Sequence, residues 1–267
     1  MRIEIRVLGP LDVSVGGVSI VPTASKPSQL LAMLALNAGH VVTVPALTSE
    51  IWDCDPPRSG IPTLHTYILK LRRKLQHALT GRGDVTSKDI LITHRAGYLL
   101  NVAPEDVDAV RYDRLSAAGR QAANAGDHET ASRTLGAALR LWQGAALADV
   151  PTGPVLAVEA LRLEENRLGD THLRIEADLN LGRHHQLLGE LGALCVRYPL
   201  LENFSIQHMV ALYRSGRQSQ ALGVYRRLHT DMREQLGVAP SPQARRLHQA
   251  ILTGDAMMND PSLALNG

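Results

Sequence analysis

Two stretches of this chain, ADLNLGRHHQLL from Ala177 and ALYRSGRQSQAL from Ala211, align without a gap at a spacing of 34 residues. Ala177/Ala211, Gly182/Gly216, Arg183/Arg217, Gln186/Gln220 and Leu188/Leu222 coincide. A fixed interval constrains the fold more than composition can, because it demands a supersecondary unit that repeats. Thirty-four residues is the tetratricopeptide period, two helices and a turn. One such unit cannot bury its own apolar face, so copies stack. The stack exposes a concave surface ordinarily used for holding protein rather than for chemistry. An earlier segment, RLSAAGRQAANAGDHETASRTLGAAL from Arg114, has the same turn with Gly126 between apolar helices, and the intervening WQGAALADVPTGPV breaks the register.

The first hundred residues read differently. IEIRVLG and LDVSVGGVSI alternate apolar and polar around a Gly-Gly turn, a hairpin signal. KPSQLLAMLALNAG is an apolar helix with Pro27 in its first turn and Gly39 past its end. VPALTSEIWD is a second, shorter helix, DPPRSG a break, and Ser59 the expected N-cap of a third helix. ILITHRAGYLLNV gives two short strands flanking a hairpin with a basic tip. Strands, three helices and a basic hairpin are the layout of a winged helix, whose third helix enters the major groove while the hairpin reaches the minor groove or its phosphates.

That third helix contains TLHTYILKLRRKL, residues 63–75. At 100° per residue Leu64, Ile68, Leu71 and Leu75 fall within about 60° of one another, a single buried stripe. Thr66, Lys70 and Arg73 then point away from the core, flanked by Thr63, Tyr67 and Lys74 on one side and His65 and Arg72 on the other. A solvated helix face usually interleaves carboxylates with its cations for i, i+4 pairing. Here nothing acidic lies between Asp55 and Asp84.

Charge agrees. The net charge of +2 hides an asymmetry: residues 1–103 hold 11 Lys or Arg against 7 Asp or Glu, and residues 104–267 hold 17 against 19. A basic module facing a polyanion, joined to a slightly acidic module with another task, is the expected arrangement. The 267 residues are 45% hydrophobic and 20% charged, the composition of a folded chain long enough for two cores. No apolar run reaches the eighteen residues of a membrane span, and MRIEIRVLGPLDVSVGG alternates like a strand rather than a signal peptide, so a cytoplasmic location is expected. Cys54 and Cys195 lack partner spacing, which suits a reducing compartment and supports neither a disulfide framework nor a zinc site.

Other chemistry dissolves on inspection. His184 and His185 are adjacent on a helix and diverge by about 100°, so they do not share a metal. The chain has no G-x-x-x-x-G-K-[ST] loop and no Gly-x-Ser-x-Gly elbow, and Trp52 and Trp142 read as core anchors. No catalytic residue, cofactor or metal ligand is expected, and the chain is read as a non-enzyme.

The succession LGPLDV, PSQLLAMLAL, LTSEIWDCDPPRS, TLHTYILKLRRKL, GYLLNV, ALRLWQGAALADV, LEENRL, YRSGRQSQALGVYRRL and EQLGVAPSPQARRLHQAIL resembles the Streptomyces antibiotic regulatory protein family over nearly the whole chain. The resemblance implies a mainly α chain with small β-sheets: an OmpR/PhoB-type winged-helix DNA-binding domain over 1–103, a tetratricopeptide-like bacterial transcriptional activation domain over 104–253, and a flexible tail over 254–267. It implies a pathway-specific activator of a secondary-metabolite gene cluster that binds tandem direct repeats near promoters, as a homodimer or cooperative copies, and recruits RNA polymerase holoenzyme. Carried over by residue, it places Thr63, Thr66 and Lys70 over the major groove, with Tyr67 and Arg72 towards phosphates. For Tyr67, packing of the ring on the first or second helix is an equal reading. Arg73 and Lys74 near the helix end are assigned to phosphates. In the wing the family's basic reader falls on His94 or Arg95, and the permanent charge of Arg95 favours it.

A protein-interaction scaffold without a specific DNA target is the alternative, and an enzyme with an unrecognised site a third. Salt-dependent promoter binding separates the first two.

Overall fold

The structure, a computed structural model, describes residues 3–53, 55–80 and 84–254. Cys54, and all of the expected tail except Gly254, lie outside the described residues. Two compact units are present, one formed by Met1–Ala117 with Ala137–Leu168, the other by Ala118–Gly136 with Gly169–Gly267.

In the first unit β1 (Ile3–Arg6), β2 (Asp12–Val15) and β3 (Val18–Ser19) form an antiparallel meander, Ile3 opposite Val15 and Arg6 opposite Asp12. Residues alternate buried and half-buried along β1 and β2, as period-two patterning requires. The turn before β3 uses Gly16 and Gly17 at φ 55° and 85°, where a Cβ is penalised. Then come α1 (Ser25–Leu36), β4 (Val41–Thr43), α2 (Val44–Trp52), α3 (Gly60–Leu79), a single-turn α4 (Ser87–Ile90), β5 (Leu91–His94) and β6 (Gly97–Leu100). The second sheet has the order β4-β6-β5, all antiparallel. Neither β4 nor α4 is foreseen by the sequence patterning. Ser59 stands at the N-cap of α3, but through its carbonyl, which accepts the Thr63 N–H at 2.9 Å, and not through its hydroxyl. The core joins Ile5, Val13 and Val15 to Leu30, Leu34, Leu47, Leu64, Ile68, Leu71 and Leu75, all at 2% exposure or less.

After a 3₁₀ turn at Pro104–Asp106, α5 (Asp108–Asn124), α6 (His128–Leu139) and α7 (Pro154–Asn180) follow, and parts of this stretch complete the first unit. Asp108 accepts the Val7 and Leu8 N–H groups at 2.9 and 3.1 Å, although burial pushes its carboxyl pKa up. The Leu8 and Val7 carbonyls take the Gln143 and Leu147 N–H at 2.7 and 3.0 Å, and Leu11 N–H bonds Asp149 at 2.7 Å. Trp142 is buried edge-on against Tyr112, centroids 5.5 Å apart. Glu50 of α2, 1% exposed, receives Gly153, Val155 and Leu156 N–H at 2.6, 2.9 and 3.0 Å and so caps α7. A Cβ at Gly153 would lie 2.0 Å from the Glu50 carbonyl oxygen, so this approach requires glycine. The segment that breaks the 34-residue register therefore satisfies backbone and charge elsewhere in its own unit. A chain cut at residue 103 loses all of these partners.

The second unit contains the ends of α5, α6 and α7 together with α8 (His184–Arg197), α9 (Glu202–Arg214), α10 (Gln218–Leu236) and α11 (Pro242–Thr253). Gly126, Gly182 and Gly216 have φ of 75°, 75° and 73°. In each case the next residue's N–H reaches five residues back: Asp127 to Ala122, Arg183 to Asp178 and Arg217 to Leu212, at 3.0, 2.9 and 2.9 Å. The recurrence read from Gly182 and Gly216 is thus one turn geometry used three times. The architecture is mainly α with small β-sheets, an N-terminal winged helix and a tetratricopeptide-like helical domain. Among the described residues no helix is long and apolar enough to cross a membrane.

Candidate nucleic-acid interface

Twenty residues of α3 bury one stripe, Leu64, Ile68, Leu71 and Leu75, and this fixes which residues turn outward. Thr66, Lys70, Arg73 and Lys74 are exposed, Thr63, Tyr67 and Arg72 half-buried, and no carboxylate lies on the helix. Neither Lys70 nor Arg73 has a hydrogen-bonding or ionic partner within the chain, judged among the described residues. Thr66 donates its hydroxyl hydrogen back to the Pro62 carbonyl at 3.0 Å, which leaves its oxygen lone pairs and methyl facing outward. Leu69, absent from the sequence-derived set, is 53% exposed between Thr66 and Lys70. An apolar side chain on the outer face of a helix is signalled only by falling outside the buried stripe.

Three sequence-derived candidates make contacts within the chain. Arg72 donates Nε and Nη2 to the Leu91 carbonyl at 3.1 and 2.7 Å, and Nη2 to Thr93 Oγ1 at 2.8 Å. It ties α3 to the wing strand, with most of its donors directed inward rather than at phosphates. Tyr67 stacks its ring on Trp52, centroids 6.4 Å apart and 17° from parallel, with Lys26 Nζ 5.2 Å from the Trp52 ring. Of its two readings, packing on the second helix is the one the geometry matches. Lys74 Nζ bonds the Val21 carbonyl at 3.2 Å while remaining exposed.

In the wing, His94 pairs with Gly97 and leaves Arg95 and Ala96 as the turn. His94 Nδ1 accepts the Ala96 N–H at 3.3 Å, whereas the exposed Arg95 has no partner among the described residues. The glycine of HRAGY is steric: a Cβ on Gly97 would stand 1.9 Å from the Val42 carbonyl oxygen of β4. β6 can therefore lie against β4, and the hairpin projects from a three-stranded sheet anchored on α3 through Arg72.

Residues 19–100 match the family described as the C-terminal domain of transcriptional regulatory proteins, and residues 107–252 match the bacterial transcriptional activator domain. Over 264 residues the chain is 45% identical to the regulatory protein DnrI of Streptomyces peucetius, across 99% of this chain and 95% of that one. The chain belongs to the Streptomyces antibiotic regulatory protein family. It shares 35% identity with the transcriptional regulator RedD of Streptomyces coelicolor, over 97% of this chain and 73% of that protein. A solved structure of Mycobacterium tuberculosis EmbR, in complex with a low-affinity phosphopeptide, superposes with a TM-score of 0.87 at 33% identity, covering 99% of this chain and 68% of that one. Membership of this family makes the chain a DNA-binding transcriptional activator, and gives the cationic face of α3 and the wing their context.

Proposed function

We propose that this activator binds tandem direct repeats at the promoters of a secondary-metabolite cluster and recruits RNA polymerase holoenzyme through its helical repeats. The observation that carries the reading is the outer face of α3, with Lys70 and Arg73 uncommitted and no carboxylate beside them. Thr63, Thr66 and Lys70 read base edges, Leu69 meets thymine methyls, and Arg73, Lys74 and Arg95 serve phosphates or the minor groove. Arg72 and Tyr67 hold the geometry. Two copies occupy adjacent repeats, as a homodimer or cooperatively, with the helical domain supplying the contacts between copies and raising effective concentration. The chain acts in the cytoplasm, where its DNA is.

Gel-shift titration on the promoters neighbouring its own gene, with scrambled DNA as control, tests the reading. Two winged helices on direct repeats face one side of the duplex, so repeat centres lie near one turn, about 10 bp, or a multiple of it. Inserting about 5 bp between repeats abolishes cooperativity, and inserting a full turn partly restores it. Equal affinity for promoter and scrambled DNA would leave the chain an interaction scaffold.

A further inference from the structure

Asp170 and Ser132, both buried in the helical unit, make short bonds, Asp170 to Arg120 at 2.6 Å and Ser132 to Asp178 at 2.6 Å. Ser205 and His208, on α9, do not. Ser205 is 4% exposed and His208 8%, and among the described residues each has as its side-chain partner only the sulfur of Cys195, at 3.8 and 3.7 Å. A thiol is a weak donor and acceptor, so these buried groups keep hydrogen-bonding capacity that a folded protein ordinarily satisfies. All three line one pocket of about 240 Å³ between α8, α9 and α10. Val196, Pro199, Val224 and Leu228 supply apolar wall, and Arg227 and Asp231 complete the polar lining. Neither Arg227 nor Asp231 has an ion pair among the described residues, although the two stand one turn apart on α10.

We propose that this pocket binds a small organic acid: a carboxylate received by Arg227, a ring N–H of His208 and the Ser205 hydroxyl, which turns to it from its weak bond to the Cys195 sulfur, on a short apolar body lying against Val196, Val224 and Leu228. The charges select the class. One cation and one anion leave no surplus to balance a phosphate dianion, whereas a monoanion at Arg227 with a hydroxyl or ammonium turned to Asp231 uses both. The floor stays neutral: burial, then Arg227 and Arg217, hold the His208 pKa down at about 4, and burial pushes the Cys195 thiol up.

The test uses the full chain and three probes, 4-methylpentanoate, its 2-hydroxy derivative and the neutral 4-methylpentanamide, followed by saturation-transfer NMR and calorimetry. Both acids bind saturably in the millimolar range, the hydroxy acid more tightly, and the amide about tenfold or more weaker, the scale of a lost charged hydrogen bond. Arg227→Gln, at an exposed position, preserves helicity and DNA binding and reduces acid affinity by a similar factor. Bound acid also slows alkylation of Cys195, which places the probe in this pocket. No saturable binding of either acid at about 10 mM, amide binding equal to the acids, or indifference to Arg227→Gln overturns the proposal.

Discussion

Lys70 and Arg73 of α3 and the half-buried Arg120, Arg174 and Arg183 of the helical unit differ in what holds them. On α3, Lys70 and Arg73 have no internal partner among the described residues. In the helical unit Arg174 bonds Asp178 and Glu190 at 3.0 and 2.6 Å, Arg183 bonds Glu129 and Asp178 at 2.6 and 3.1 Å, and Arg120 bonds Asp170 at 2.6 Å. The stretch beyond residue 103 holds more Lys and Arg than the stretch before it, 17 against 11. Cation count is therefore a poor guide to where a polyanion binds. A guanidinium engaged with a carboxylate must break that pair before it can displace counterions from DNA, whereas an unpaired one carries its full charge to the surface.

The comparison would break if a carboxylate of the first unit could reach the cations of α3, and Glu50 tests this with the largest expected effect. Its oxygens accept three N–H groups at the start of α7 and the Gln29 amide at 2.9 Å, all within its own buried site. Glu50→Ala orphans these donors and destabilises the chain by about 3 to 5 kcal/mol in urea denaturation, without strengthening DNA binding of the fraction that stays folded. Residues 1–103 alone, lacking the donors and the Asp108, Gln143 and Leu147 contacts, are less stable still. A loss under about 1 kcal/mol for Glu50→Ala would show that the cap of α7 does not hold this unit together.

Several ionisable side chains of the helical unit, His184, Cys195, His208 and His248, have surroundings that oppose their charge, and His208 is the histidine shifted furthest. Burial, with Arg227 and Arg217 nearby, depresses the His208 pKa to about 4, so the folded state refuses a proton that the unfolded chain accepts near pH 6.5. The associated stability is complete above pH 6.5 and is lost progressively as pH falls towards 4, up to roughly 3 kcal/mol in all. Urea midpoints of the wild type and His208→Gln, compared at pH 7 and pH 4.5, isolate this contribution from other acid-sensitive groups such as Asp108. Parallel pH profiles for the two proteins would mean that His208 titrates normally.

Much of this contrast was legible in the sequence, and the reason lies in periodicity. The stripe Leu64, Ile68, Leu71, Leu75 recurs at helical spacing, so it gives the buried face of α3 and, by subtraction, the outward direction of Thr66, Lys70 and Arg73. The 34-residue recurrence shows the repeated turn because a left-handed φ at Gly182 and Gly216 leaves glycine as the economical choice. Elements too short to carry a period, β4 with three residues and α4 with four, escaped. So did contacts set by tertiary approach. Arg72 meets a carbonyl 19 residues away and Glu50 caps a helix more than a hundred residues away, and no local pattern says where a long side chain turns.

Lys70 and Arg73 sharpen the comparison within α3. If Lys70 reads a base, Lys70→Ala costs about 1 to 3 kcal/mol on the specific site and relaxes preference at one base pair. Arg73→Ala weakens promoter and random DNA alike and lowers the salt slope by about one. Binding isotherms at several salt concentrations on both DNAs distinguish the two, and equal behaviour of the variants would remove the assignment of Lys70 to a base.

The smallest effect is expected where the comparison is most exposed to error. Arg183 carries the same charge as Arg73 and is likewise accessible, but Glu129 and Asp178 hold it, through hydrogen bonds that also raise its pKa. If pairing, not charge, decides which cations meet DNA, Arg183→Gln leaves the slope of log affinity against log salt unchanged, because no counterion was released on its account. The variant loosens the junction of α6 with the Gly182 turn, so it is compared at a temperature where circular dichroism shows both proteins fully folded. A fall in slope of about one, matching Arg73→Ala, would mean that the Glu129 and Asp178 pair opens on DNA, and the helical unit would then join the binding surface.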